Sequence, residues 1–203
     1  MNVKNLTPKR QAMRERIVLA VLKGIETRGI GRLSARDVAK LAGCSAAAIY
    51  TVFEDFDHAI FAANARVLDR MGAALAAVPM PEDDPATGLR DLARAYARFA
   101  LDNEVFWWAV FNHRQAETTV TPDWYLEQHA TLISRIFSPL QALRPDLDQA
   151  GLALRARTLF SAVHGVVQLS LERRFVGVPT GDLEAEVAAL VDAMTRGLAG
   201  QAG

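Results

Sequence analysis

The sequence has a single cysteine, Cys44, among 203 residues. That excludes an internal disulfide framework and a cysteine-rich zinc site, and it suits a reducing compartment. No run approaches the roughly 18 consecutive apolar residues that would suggest a membrane span. The stretch from Met1 to Arg16 is polar and basic and lacks the apolar segment of a signal peptide, so a cytoplasmic location is expected. Internal repeats and low-complexity tracts are missing. Strand-like alternation is nearly missing too, which leaves an all-α fold class. There is no helical metal spacing of the HExxH kind, no glycine-rich phosphate loop and no nucleophile motif. Catalysis, a bound metal and a cofactor are therefore not expected.

An excess of charge of one sign is also lacking, since 23 basic residues meet 23 acidic ones. Taken alone, that balance argues against nucleic-acid binding. The distribution reverses the argument. Residues 1–53 hold ten basic and three acidic side chains, whereas residues 54–203 hold thirteen and twenty. Such asymmetry points to a basic binding module, 1–55, joined to an acidic body, 56–203. Apolar residues make up 51% of the chain, enough for an ordered core.

Helical periodicity predicts about nine helices. Thr7-Pro8 reads as an N-cap followed by proline at the first helical position, and that helix ends near Arg28 before Gly29 and Gly31. A short helix opens at Ser34-x-x-Asp37, a capping-box pattern, and closes at Ala42-Gly43. Ser45 caps another, Ala46 to Val52. A long helix spans about Asp57 to Ala77, with Ile60, Val67, Met71 and Leu75 on one stripe. Further helices are expected from Pro85 to Asn103, Glu104 to His113 and Pro122 to Leu143, the last kinked at Pro139. Asp148–Phe175 and Gly181–Ala199 complete the set, with a frayed tail at Gly200–Gly203. Arg90, Arg94 and Arg98 read as a solvated face.

Ser34 to Phe53 carries the most information. Two short helices flank Gly43, with Ala39 four residues before it and Ile49 six after. A helix-turn-helix needs this arrangement: a small residue where the helices cross, and a glycine for the left-handed turn. Val38, Leu41 and Ile49 are expected to bury the pair. The second helix would enter a major groove with Ser45, Ala46, Ala47, Tyr50 and Thr51 outward. It offers hydroxyls and small apolar contacts but no Arg, Asn or Gln for bidentate base reading. Ser34, Arg36, Lys40 and the basic first helix would then supply phosphate contacts. Cys44 beside this helix reads as a small core-filling residue.

The segment LSARDVAKLAGCSAAAIYTVF, residues 33–53, closely resembles the N-terminal signature of the TetR/AcrR family of transcriptional regulators. Residues 158–172, TLFSAVHGVVQLSLE, resemble the WHG-type C-terminal domain of a branch of that family, with Phe160 where the motif has tryptophan. The resemblance implies a DNA-binding homodimer with a ligand pocket in the C-terminal body. Its partners would be a double-stranded operator, a second copy of the chain and a small-molecule effector. One departure stands out. Members usually carry a phosphate-contacting lysine at the start of the fourth helix, whereas this chain has Phe56 between Asp55 and Asp57, carboxylates that repel DNA.

The body can also be read directly. Phe106 to Phe111 packs four aromatic residues into one short helix, and these cannot all face one way. Met71, Tyr96, Phe99, Trp107, Trp108, Phe111 and Trp124 are expected around an apolar pocket, with His113, Asn112 and His129 as candidate polar groups. Phe160, His164, Val167 and Leu171, with Val187, Leu190 and Met194, form stripes expected to build a four-helix dimer interface. The expected function is a regulator, a repressor released by a neutral or weakly polar ligand. The alternatives are an activator and a helical adaptor that binds no DNA. A distant third is an enzyme drawing on His113, Glu117, His129 or His164.

Overall fold

The structure, a computed structural model, describes residues 7–173 and 175–199. The expected frayed tail at Gly200–Gly203 lies outside them. Among the described residues there are ten α-helices and no strand. They are α1 (Pro8–Arg28), α2 (Ala35–Ala42), α3 (Ala46–Ile49), α4 (Phe56–Ala76) and α5 (Pro85–Asp102), then α6 (Glu104–Asn112), α7 (Asp123–Ser134), α8 (Phe137–Leu143), α9 (Gln149–Leu171) and α10 (Leu183–Ala199). A 3₁₀ turn at Ile30–Arg32 joins α1 to α2. No described helix is long and apolar enough to cross a membrane.

The chain forms two compact units, and neither is one continuous segment. The first comprises residues up to Asp69 together with Val105–Leu126; the second comprises Arg70–Glu104 and residues from Glu127 onward. This division does not follow a cut at residue 55. The reason lies in the first unit's core. Ile17, Val21, Ile25, Val38, Ile49, Ala59 and Ala63 are sealed by Ala109 and Phe106 of the aromatic helix α6. Each large aliphatic side chain buried this way contributes about 1.5–3 kcal/mol relative to exposure.

Local chemistry sets the reading helices. The Ser34 hydroxyl accepts from Asp37 N at 3.3 Å, and the Asp37 carboxylate accepts from Ser34 N at 3.2 Å, completing the capping box. Gly43 ends α2 at φ 62°, ψ 42°, the left-handed region that glycine enters without steric cost. Ser45 caps α3 by accepting from Ala48 N at 3.2 Å. Regular α-helix then lasts only to Ile49, shorter than the expected Val52, and the chain winds on through Val52 N to Ile49 O at 3.1 Å. Val38 and Ile49 are wholly buried, but Leu41 is 49% exposed. With Val38, Ala39 and Ala42 facing inward, position 41 lies about 200° round from Ala39 and turns outward.

In the second unit, α10 packs along α5 and α9, and α8 packs on α5 and α9. Leu92, Leu140, Leu152, Leu183, Val187 and Val191 are buried there. The expected helix from Pro122 to Leu143 is two helices rather than one kinked helix. The break falls at 135–136, so that Pro139 sits in the first turn of α8. In that turn a missing N–H breaks no helical bond, whereas in mid-helix the ring would clash with the carbonyl of Arg135. The arginines of α5 are more than a solvated face. Arg90 pairs with Asp192 at 3.0 Å, and Arg98 grips Glu184 with two bonds of 3.1 and 2.5 Å. Helix α9 stops at Leu171, short of Phe175, and Arg173 follows at φ 52°.

Candidate nucleic-acid interface and effector cavity

Seven of the eight residues expected at DNA are exposed side by side on α2, α3 and their caps: Ser34, Arg36, Lys40, Ser45, Ala47, Tyr50 and Thr51. Ala46, the eighth, is half-buried and packs on the core with Cys44. Ile49 anchors α3 from within, which leaves Tyr50 54% exposed on the outer side.

Two residues that the sequence reading passed over hold this surface in place. The Arg10 guanidinium, on α1, donates to the Thr51 carbonyl just past α3. Arg16 donates to the Ala42 carbonyl at 2.8 Å and reaches that of Gly43 at 3.3 Å. Cations thus meet the unpaired carbonyls at the ends of both reading helices, where the helix dipole favours them. The signal available in sequence was a spacing of six along α1, which only the packing of α1 on α2 turns into a pair of clamps. Arg14 lies over the Phe53 ring at 5.0 Å.

The acidic pair at the start of α4 is tied into the protein. The Asp55 carboxylate accepts from His58 N at 2.8 Å and meets His58 Nδ1 at 2.7 Å. The Thr119 hydroxyl lies 2.9 Å from Asp55 and 3.0 Å from Asp57, and Ala116 N donates to Asp57 at 2.9 Å. Burial pushes the Asp55 carboxyl up, but the bonds from His58 and Thr119 outweigh it and hold it below its ordinary value.

The residues expected at an effector do not share one site. Trp107, Trp108, Phe111, His113 and Trp124 belong to the first unit; Met71, Tyr96, Phe99 and His129 belong to the second. Trp107 is wholly buried with its ring 5.0 Å from Phe111, a core packing role, while Trp124 is 39% exposed. Met71 and Phe99 are buried, and His129 is half-buried. Tyr96 alone of the set lines the second unit's cavity, which takes in about 450 Å³ when the open solvent at its mouth is counted. Its other walls include Leu75, Leu92, Leu132, Leu159 and Phe160. Leu89, Leu92, Ala93 and Tyr96 recur at helical spacing along α5, and that was the signal in the sequence for this cavity; the aromatic count of α6 outweighed it. At the wall the Tyr96 hydroxyl meets His164 Nδ1 at 2.7 Å, and Phe160 stacks on His164. Burial keeps His164 below the usual histidine range, against an opposing bond to Gln168.

Most residues expected at a dimer interface are taken up within the chain. Val167 and Val187 are wholly buried inside the chain and Leu171 nearly so, while Phe160 lines the cavity and His164 bonds to the cavity's Tyr96. Leu190 and Met194 are half-buried. The strongest apolar stripe of each helix is claimed by its own core. The outward faces are different: Leu154, Thr158, Ser161 and Leu169 on α9, with Ala185, Ala189 and Ala193 on α10. Gly165, in the middle of α9, has nothing within 4 Å of where a Cβ would stand.

Residues 89–194 match the family model described as "Tetracyclin repressor-like, C-terminal domain". Among solved structures, a Rhodococcus sp. RHA1 protein of unknown function is 26% identical, with a TM-score of 0.69 over 92% of this chain and 95% of that one. A TetR transcriptional regulator from Rhodococcus sp. RHA1 is 20% identical, with a TM-score of 0.61 over 91% and 96%. The TetR family regulator PfmR from Thermus thermophilus is 21% identical, with a TM-score of 0.58 over 91% and 96%. The last two show the shared fold. Comparison with curated proteins gives no match.

Proposed function

The chain belongs to the TetR family of transcriptional regulators, and from that membership we propose a ligand-responsive repressor that binds a double-stranded operator as a cytoplasmic homodimer. The observation that carries the DNA reading is the exposed row Ser45, Ala47, Tyr50 and Thr51, on a helix seated by buried Ile49 and clamped by Arg10. Hydroxyls on this row contact phosphates and base edges, and Ala47 packs on thymine methyls. Two such helices, one per protomer, would sit about one DNA turn apart.

The effector enters the α5–α9 cavity, where apolar walls favour an aliphatic or aromatic body and the Tyr96–His164 pair reads one polar group. The dimer forms through the outward faces of α9 and α10, where Gly165 leaves room for a partner helix. Helix α4 runs through both compact units, so a change in the second reaches the first along one continuous backbone. The effector then acts by favouring the state whose reading helices no longer match the operator.

The test is a gel shift on the region upstream of the protein's own gene, repeated across salt concentrations. Lys40→Ala should weaken binding and reduce the slope of log affinity against log salt by about one. Tyr50→Ala should weaken binding with the fold intact by circular dichroism. Wild-type affinity and slope in both variants would remove the assignment of this surface to DNA.

A further inference from the structure

A second cavity lies wholly within the unit that carries the helix-turn-helix. It is an open groove of about 1050 Å³, counting its mouth. Leu33 and Gly31 of the α1–α2 connection form one side, Phe56 at the start of α4 another, and Trp108, Asn112 and Arg114 the third. Polar and apolar groups share its surface, unlike the hydrocarbon-lined cavity of the other unit. Two buried nitrogens at the wall make no hydrogen bond, Asn112 Nδ2 and His113 Nε2. The histidine nitrogen has Asp57 Oδ1 2.9 Å away, a close charged neighbour. The asparagine amide has no such neighbour. A buried donor left unmade costs free energy that an incoming acceptor would recover.

We propose that this groove binds a small aromatic carboxylate. The ring lies against Trp108, one carboxylate oxygen accepts from Asn112 Nδ2, and the charge faces the Arg114 guanidinium, which is exposed at the rim and makes no ion pair among the described residues. The single acid in the wall does not oppose this strongly, because Asp57 is already engaged by Ala116 N, Thr119 and His113. One arginine is too little for a phosphate ester, and the apolar walls suit a flat ring. The ligand would touch the connection that leads into Ser34, the cap of α2, and the residue that opens α4 just after the recognition helix. Its occupancy is therefore linked to DNA affinity independently of the effector cavity.

The experiment titrates the full chain with benzoate and, separately, with benzamide, following the Trp108 indole N–H by NMR. Benzoate should give a saturable shift. Asn112→Asp, which keeps the shape and places a negative charge against the ligand, should weaken benzoate roughly tenfold or more. Arg114→Ala, at an exposed position, should weaken benzoate and leave benzamide unchanged. Tyr96→Phe, in the other cavity, should leave both unchanged. The proposal fails if benzoate does not saturate, if its shifts confine themselves to the residues around Tyr96, or if Asn112→Asp and Arg114→Ala both bind it as wild type does. Equal binding of benzamide and benzoate would overturn the carboxylate.

Discussion

Asn64 is wholly buried on α4, and its amide donates to the Ala109 carbonyl of α6 at 3.0 Å. The bond spans two segments far apart in sequence and lies where water cannot replace it. Asn64→Ala should therefore cost about 1–3 kcal/mol, read as a lower urea midpoint with an unchanged slope. His113 makes the second prediction at this scale. Burial holds it below the ordinary histidine value of 6.5, although the charges of Asp57 and Asp55 pull upward. His164 is depressed by burial as well. As pH falls below about 6.5 the unfolded chain takes up these protons before the folded one, so stability is level above about 6.5 and declines as pH drops from there toward the folded values. Urea midpoints should be lower at pH 5.5 than at pH 7.5, and His113→Gln should shrink the difference. A wild-type midpoint that rises on acidification would contradict the depression. None of these side-chain roles was legible beforehand. An asparagine within an apolar helix and a histidine after an aromatic run look alike as letters, and only the neighbour brought up by the fold decides what each one does.

Individual elements were far more legible, because their signals are local. The caps Ser34, Ser45, Asp84 and Asp148 each accept from a backbone N–H where a helix begins. Gly43 turns left-handed as its spacing required, and its absent Cβ would meet no atom within 4 Å. The cost of a side chain there is conformational alone. Gly43→Ala should destabilise by about 1 kcal/mol, with Gly43→Asn milder, as chemical denaturation will show. A loss of several kcal/mol would instead mean that the turn is crowded. Where a local reading failed, a partner was missing from it. Pro139 was known to disturb a helix, but whether it bends one or begins another depends on what the flanking turns pack against. The aromatic helix α6 drew attention as a pocket wall, yet its innermost tryptophan fills a core.

The molecule as a whole was legible in fold class, but its apolar stripes did not say whether they pack within the chain or against a second copy. Periodicity says that a stripe is buried without saying by whom, and α9 and α10 spend their best stripes within the chain. Substitutions should separate the two cases. Val167→Asp places a charge in a site with no exposure and should abolish folding. Ala189→Glu and Leu169→Glu fall on outward faces and should give folded monomers by light scattering. If both remain dimeric, the partner sits elsewhere.

The two-segment composition of the first unit bears on how the protein is made. The core around the helix-turn-helix is closed by Phe106 and Ala109, more than fifty residues after Phe53. During synthesis the reading helices leave the ribosome first, yet they wait without their apolar lid until α5 and α6 have followed. A chain released after α4 would expose Ile60 and Ala63 to solvent, so a fragment ending there should clump where the finished chain stays dispersed. The order in which the segments emerge thus delays the closing of the first unit's core until part of the second unit has been made.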